Sequence, residues 1–168
     1  MMIQIISHVV CSFLGTVAFA VMFNIPAKYY LSGGLTGVAG WMMYMFLTEG
    51  IHLSSAMATF WGTFVVVLIS RMLTVRLRCP ITVFLIAGII PLVPGASVYF
   101  MAYHLMIGEL SMAVSYGINA VKLAFAIVLG IVFVVAIPRQ FFQKGYWKQW
   151  RIIQAPLMVK KLVGRRAK

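Results

Sequence analysis

The 168 residues are 63% hydrophobic, with a mean hydropathy of +1.02 and two acids, Glu49 and Glu109, against 14 Lys and Arg. Soluble domains are roughly 45–50% apolar, so this chain has too little polar surface to fold in water and reads as an all-α integral membrane protein. The net charge of +12 is not laid out as a nucleic-acid stripe. Most of it follows Pro138 and reads as a tail against anionic membrane lipid, so no nucleic-acid partner is expected.

A membrane-spanning helix takes about 20 mostly apolar residues, and five segments qualify: Ile3–Phe23, Tyr29–Leu47, Ile51–Met72, Ile81–Ile107 and Met112–Ile137. On the first, His8 shares a helical face with Gln4, Ser12 and Gly15. Ala18-Phe-Ala20 resembles a signal-peptide cleavage site, but no basic residue precedes the apolar run, and the first span is expected to stay. Gly33, Gly37 and Gly40 give the second span a small-residue surface, chiefly a helix-packing signal. Cys11 and Cys79 have no CxxC or Cys/His spacing and read as small apolar residues.

The fourth span is interrupted at Pro91-Leu-Val-Pro-Gly95. Each proline lacks a backbone N–H and crowds the carbonyl four residues back, so the helix is expected to break there. At about 1.5 Å per residue the break falls near the middle of a roughly 30 Å hydrocarbon layer. Backbone of that kind is tolerated in a membrane where protein or a water-filled cavity covers it. The second half-helix then starts near Gly95, Ala96, Ser97 and Val98, with unpaired N–H groups and a positive dipole end that favour a carboxylate. The first half ends in carbonyls near residues 87–90 that suit an ammonium group. A small amino acid carries both charges, and broken helices of this type form transporter binding sites. The plainer alternative is a structural kink packed by neighbours.

Three further residues are candidates for chemistry. Lys122 is the one basic residue expected inside a span, and an intramembrane charge is costly enough to suggest function. Ser115, Asn119 and Lys122 recur at spacings of four and three, so they share a helical face. Lys122 therefore either helps anchor an anionic substrate or joins subunits. His104 lies one heptad after Ser97. His104 and His8 are candidate proton relays, although a membrane histidine also serves as a simple helix-to-helix hydrogen bond.

The basic residues decide the expected topology. Lys28 follows the first span, Arg71, Arg76 and Arg78 the third, and Arg139, Lys144, Lys148, Arg151, Lys160, Lys161, Arg165, Arg166 and Lys168 the fifth. The other loops hold both glutamates and no Lys or Arg. Five spans with the N-terminus outside and the C-terminus in the cytoplasm account for every loop charge. Residues 1–138 then form the transmembrane domain and 139–168 a basic tail. Phe141, Phe142, Tyr146, Trp147 and Trp150 in that tail read as an interfacial belt. No paired carboxylates, Ser/His/Asp set, HExxH or phosphate loop occurs, and no cofactor, metal or catalysis is expected.

The run from Pro80 through Pro91-Leu-Val-Pro-Gly95 to Tyr99 resembles the signature of the threonine/serine exporter family. Arg76 and Arg78 stand where that family has a basic loop, and Asn24, Pro26 and Asn119 also fit. The resemblance covers about residues 18–138. It implies the small membrane subunit of a two-component exporter in a bacterial cytoplasmic membrane, with a larger membrane subunit as partner. The substrate implied is threonine or serine, or a dicarboxylate such as succinate, as in some two-component relatives. On this reading Pro91, Pro94, Gly95, Ala96, Ser97, Tyr99, Asn119 and Lys122 bind substrate. Lys122 is not part of the family pattern and would tilt the site towards a dianion. A non-transporting scaffold for a larger membrane partner is the alternative, and a lipid-modifying enzyme is weaker for want of acids.

Overall fold

The computed structural model describes residues 2–137, and every described element is helical. The basic tail expected over residues 139–168, and the interfacial belt expected of its aromatic residues, lie outside the described residues. Six helices follow in chain order: α1 (Met2–Met22), α2 (Tyr30–Met45), α3 (Ser55–Leu77), α4 (Thr82–Ile89), α5 (Gly95–Met106) and α6 (Leu110–Ala136). A π turn, Phe46–Gly50, continues α2.

The helix ends follow from local chemistry. At the end of α1, Asn24 takes a left-handed φ of 54°. Its N–H donates to the Val21 carbonyl at 2.9 Å, and Ile25 N–H donates to Ala20 at 3.0 Å. This paired closure satisfies carbonyls that a helix end leaves open. The end of α5 repeats it with Gly108 at φ 83°: Gly108 N–H reaches Leu105 and Glu109 N–H reaches His104. Glu109 then leads straight into α6.

α2 and α3 form the centre: α2 packs against α1, α3 and α4, α3 packs also against α4 and α6, and α5 lies on α6. Small residues allow this. A Cβ on Gly37 would run into Thr16, and one on Gly40 into Val66. A Cβ on Gly130 of α6 would sit 2.9 Å from Thr63 Cβ of α3. Of the three glycines expected to pack α2, Gly37 and Gly40 do so. Gly33 has open space beside it, and its neighbour Gly34 meets Phe13 instead. Several buried hydroxyls bond within their own helices, as Thr16 does to the Ser12 carbonyl and Ser70 to that of Val66, both at 2.7 Å. Closing on the preceding turn leaves the outward face of such residues effectively apolar, which suits close packing in lipid.

By length and composition α1, α3 and α6 can each cross a membrane, and α4 with α5 makes a fourth candidate pair bent by 49° at its break. α2 alone is about 24 Å long, short of a roughly 30 Å hydrocarbon layer. The expected fifth span therefore depends on the π turn that extends it.

Arg71 also departs from the sequence expectation. It was expected to act as a loop charge at the end of the third span, with Lys122 the sole basic residue inside one. α3 instead runs on to Leu77, and Arg71 is 8% exposed within it. Its guanidinium donates to the carbonyls of Val134 at 2.8 Å and Val135 at 3.2 Å. The last carbonyls of α6 have no partner within their own helix, and their negative dipole end attracts a cation. Buried Arg71 thus fastens the end of α6 to α3.

Candidate functional site

The break between α4 and α5 is built by three residues in sequence. Pro91 opens a single 3₁₀ turn, Ile90–Leu92, in which Val93 N–H donates to the Ile90 carbonyl at 3.1 Å. Val93 is extended (φ −61°, ψ 135°), and Pro94 precedes the first turn of α5. Leu92 is 5% exposed and wedges into a notch left by two glycines: a Cβ on Gly62 would lie 3.1 Å from it and one on Gly40 3.5 Å. Bulkier residues at either position would push the break out of place.

Pro94 has no N–H to offer, and no side chain caps α5. Gly95 N–H turns back to the Val93 carbonyl at 2.7 Å and Val98 N–H bonds Pro94 at 3.1 Å. The amides of Ala96 and Ser97 are the first-turn donors left without a helical acceptor. They lie at a cavity of about 360 Å³, within the size range of small-ligand sites. Its walls are Pro91–Ser97, Trp41 and Tyr44 of α2, Ser55 and Thr59 of α3, and Asn119 and Leu123 of α6. The Asn119 side-chain amide donates to Ser97 Oγ at 3.0 Å, joining α6 to the start of α5. Trp41 and Tyr44 stack with ring centroids 5.3 Å apart. Among the described lining residues none is charged.

The family described as "Threonine/Serine exporter, ThrE" matches residues 8–137. The chain belongs to the threonine/serine exporter family. It is a membrane transporter of the exporter type. No curated protein and no solved structure matches it.

Within this exporter the cavity brings together Pro91, Pro94, Gly95, Ala96, Ser97 and Asn119. Other sequence candidates lie elsewhere. Tyr99 is 65% exposed and sits edge-on to Phe100. Lys122 lines a different groove, between α5 and α6. The carbonyl end of α4 at residues 87–90 is not among the cavity walls, and Ala87 and Gly88 are buried against the bundle. His104 pairs with Glu109 (Nδ1 to Oε2, 2.8 Å) and stacks on Tyr116, while the ring of His8 lies 6.2 Å from that of Trp41. His8 is thus one side chain removed from the cavity, and His104 sits in the last turn of α5, bonded to Glu109 of the α5–α6 turn.

Five wall residues carry no mark in the sequence: Leu123 and the aromatic or hydroxyl-bearing Trp41, Tyr44, Ser55 and Thr59. Trp41 and Tyr44 are three apart and Ser55 and Thr59 four apart, so each pair shares a helical face. That spacing was the available signal. Many aromatic and hydroxyl pairs in a chain with 14% aromatics have it too, and only the packing of α2 and α3 singles these out.

Proposed function

We propose that the chain is the small subunit of a bacterial cytoplasmic-membrane exporter that carries a small zwitterionic amino acid, threonine or serine. A larger membrane subunit of the same family completes the path. The substrate carboxylate accepts hydrogen bonds from the Ala96 and Ser97 amides at the positive end of α5 and from the Asn119 side chain. The ammonium group lies against the Trp41 and Tyr44 ring faces. Asn119 and Ser97 hold each other until substrate replaces their bond.

The observation that carries this reading is the Asn119–Ser97 hydrogen bond across the mouth of an uncapped helix start, in a cavity of matching size. The energetics suit an exporter. A helix end contributes about 1 kcal/mol and a charge-assisted hydrogen bond about 1.5–3 kcal/mol, together about 2.5–4 kcal/mol, which corresponds to an affinity of about 1 mM or weaker. A transporter must also release what it binds. The neutral walls favour a zwitterion over a dicarboxylate, whose second charge would need a cationic seat, and Lys122 in its separate groove does not offer one.

Five crossings with the N-terminus outside and the C-terminus in the cytoplasm belong to the same reading, with α4 and α5 as one broken crossing. Its support is the placement of Lys28, Arg76 and Arg78 in or beside turns between helices and the positive-inside rule.

The test is efflux of labelled threonine, serine and succinate from preloaded cells holding this chain, the larger subunit, or both. Threonine or serine export that needs both chains supports the proposal. Succinate export alone would reassign the substrate. If neither chain nor their combination exports anything while both reach the membrane, the scaffold reading takes over. Replacing Pro91 and Pro94 together by Ala should then disrupt partner assembly before any flux.

A further inference from the structure

Lys122 lies about 18 Å along α6 from Leu110, well inside the helix that ends at Ala136. It is exposed, and it lines a groove of about 460 Å³ between α5 and α6. The walls around it are hydrocarbon and thioether: Met101, Leu105, Val114, Ile118, Val121 and Phe125. The α6 members of this wall are more than half exposed. An ammonium group in the middle of an apolar surface needs a counter-charge at its own depth.

This chain does not supply one among the described residues. Glu109 is in the α5–α6 turn, paired with His104, and Glu49 is in the π turn after α2. The sequence from residue 138 to Lys168 contains no acid. A second copy in the same membrane orientation would present its glutamates at the levels of those turns, far from the middle of α6. Lipid phosphates lie beyond the hydrocarbon edge, itself about 15 Å from the bilayer centre, farther than a four-carbon stem reaches.

We infer that the α5–α6 groove seats a membrane-spanning helix of a different chain, apolar along its length and carrying an Asp or Glu at mid-depth opposite Lys122. The inference rests on the two-chain reading above and names the face through which the chains meet. Charge complementarity makes the partner specific. Lipid tails cover carbon walls but offer the ammonium no partner at that depth, whereas a carboxylate on a neighbouring helix does.

The test places a photoreactive benzophenone side chain at Phe125 of the full chain, co-expressed with the larger subunit. After illumination of intact membranes, the adduct is mapped by mass spectrometry. The expected adduct falls on a spanning segment of the other chain within a turn of an Asp or Glu. Lys122→Met should lower its yield about tenfold or more without changing membrane abundance, and Lys122→Arg should retain it. Adducts on a second copy of this chain, or on lipid alone, overturn the inference, as does an adduct that Lys122→Met leaves unchanged. If export still requires both chains in those cases, the docking face is wrong and the two-chain reading stands. If export needs no second chain, both are wrong.

Discussion

The two sides of α6 make opposite use of nearly adjacent residues. Asn119 faces a cavity with neutral, hydrogen-bonding walls and reaches Ser97 at 3.0 Å. Lys122, about 60° around the helix, faces a groove of carbon and sulfur with no counter-charge in it. The uncharged side is suited to a ligand that brings its own charges and leaves again. The charged side is suited to a partner that stays, because a buried ion pair is costly to break. Polarity inside a membrane segment is therefore a poor guide to ligand binding until it is known which cavity each residue serves.

The rotation of α6 that separates the two sides is held at its end by Arg71, so the largest effect is expected there. Arg71→Met removes two charge-assisted bonds to the Val134 and Val135 carbonyls and should cost about 3 kcal/mol. Thermal unfolding in detergent checks it, and a melting temperature equal to that of the native chain would show that α6 is positioned by other contacts.

Next come the cavity residues. Asn119→Leu leaves Ser97 without its donor and the α5 amides without their helper, an effect of about 2 kcal/mol or roughly 30-fold in threonine efflux. Membrane abundance and melting should stay near native. Loss of efflux in step with loss of protein would mean that Asn119 is only a fastening.

A smaller change separates substrate classes. Trp41→Ala removes one ring from the proposed ammonium seat, about 1 kcal/mol or roughly fivefold in KM for threonine. A dicarboxylate has no ammonium, so equal effects on threonine and succinate would contradict the assignment of that ring.

The smallest effect on KM sharpens the contrast most. Lys122→Met should leave the KM for threonine unchanged, since it touches the other groove, and act only on assembly with the partner and thus on maximal flux. A KM that rises severalfold would put Lys122 back among the substrate ligands.

Much of this was legible in the chain. Apolar length alone marked α1, α3 and α6, and the steric demands of Pro91 and Pro94 located the break between α4 and α5. The shared heptad face of Ser97 and His104 was also readable, but what each meets was not. His104 finds Glu109, brought back by the turn at Gly108, while Ser97 finds Asn119 on the next helix. Helical periodicity put Asn119 and Lys122 on one broad face, because spacing resolves a helix surface only to within a quarter-turn or so. It could not divide that face between two cavities.

Composition, the placing of Pro91 and Pro94 and one short run of residues by themselves determined that this protein lives in a membrane, where its helix breaks and which family signature it bears. These are local properties: transfer of apolar length out of water, a missing N–H, a short run of residues. Tertiary structure alone decided that Trp41, Tyr44, Ser55 and Thr59 wall the cavity, that Arg71 is buried against the end of α6, and that Lys122 faces away from the break. Each depends on how deeply α2, α3 and α6 approach one another. That distance is set by glycines such as Gly40, Gly62 and Gly130, whose effect shows only once the helices have met.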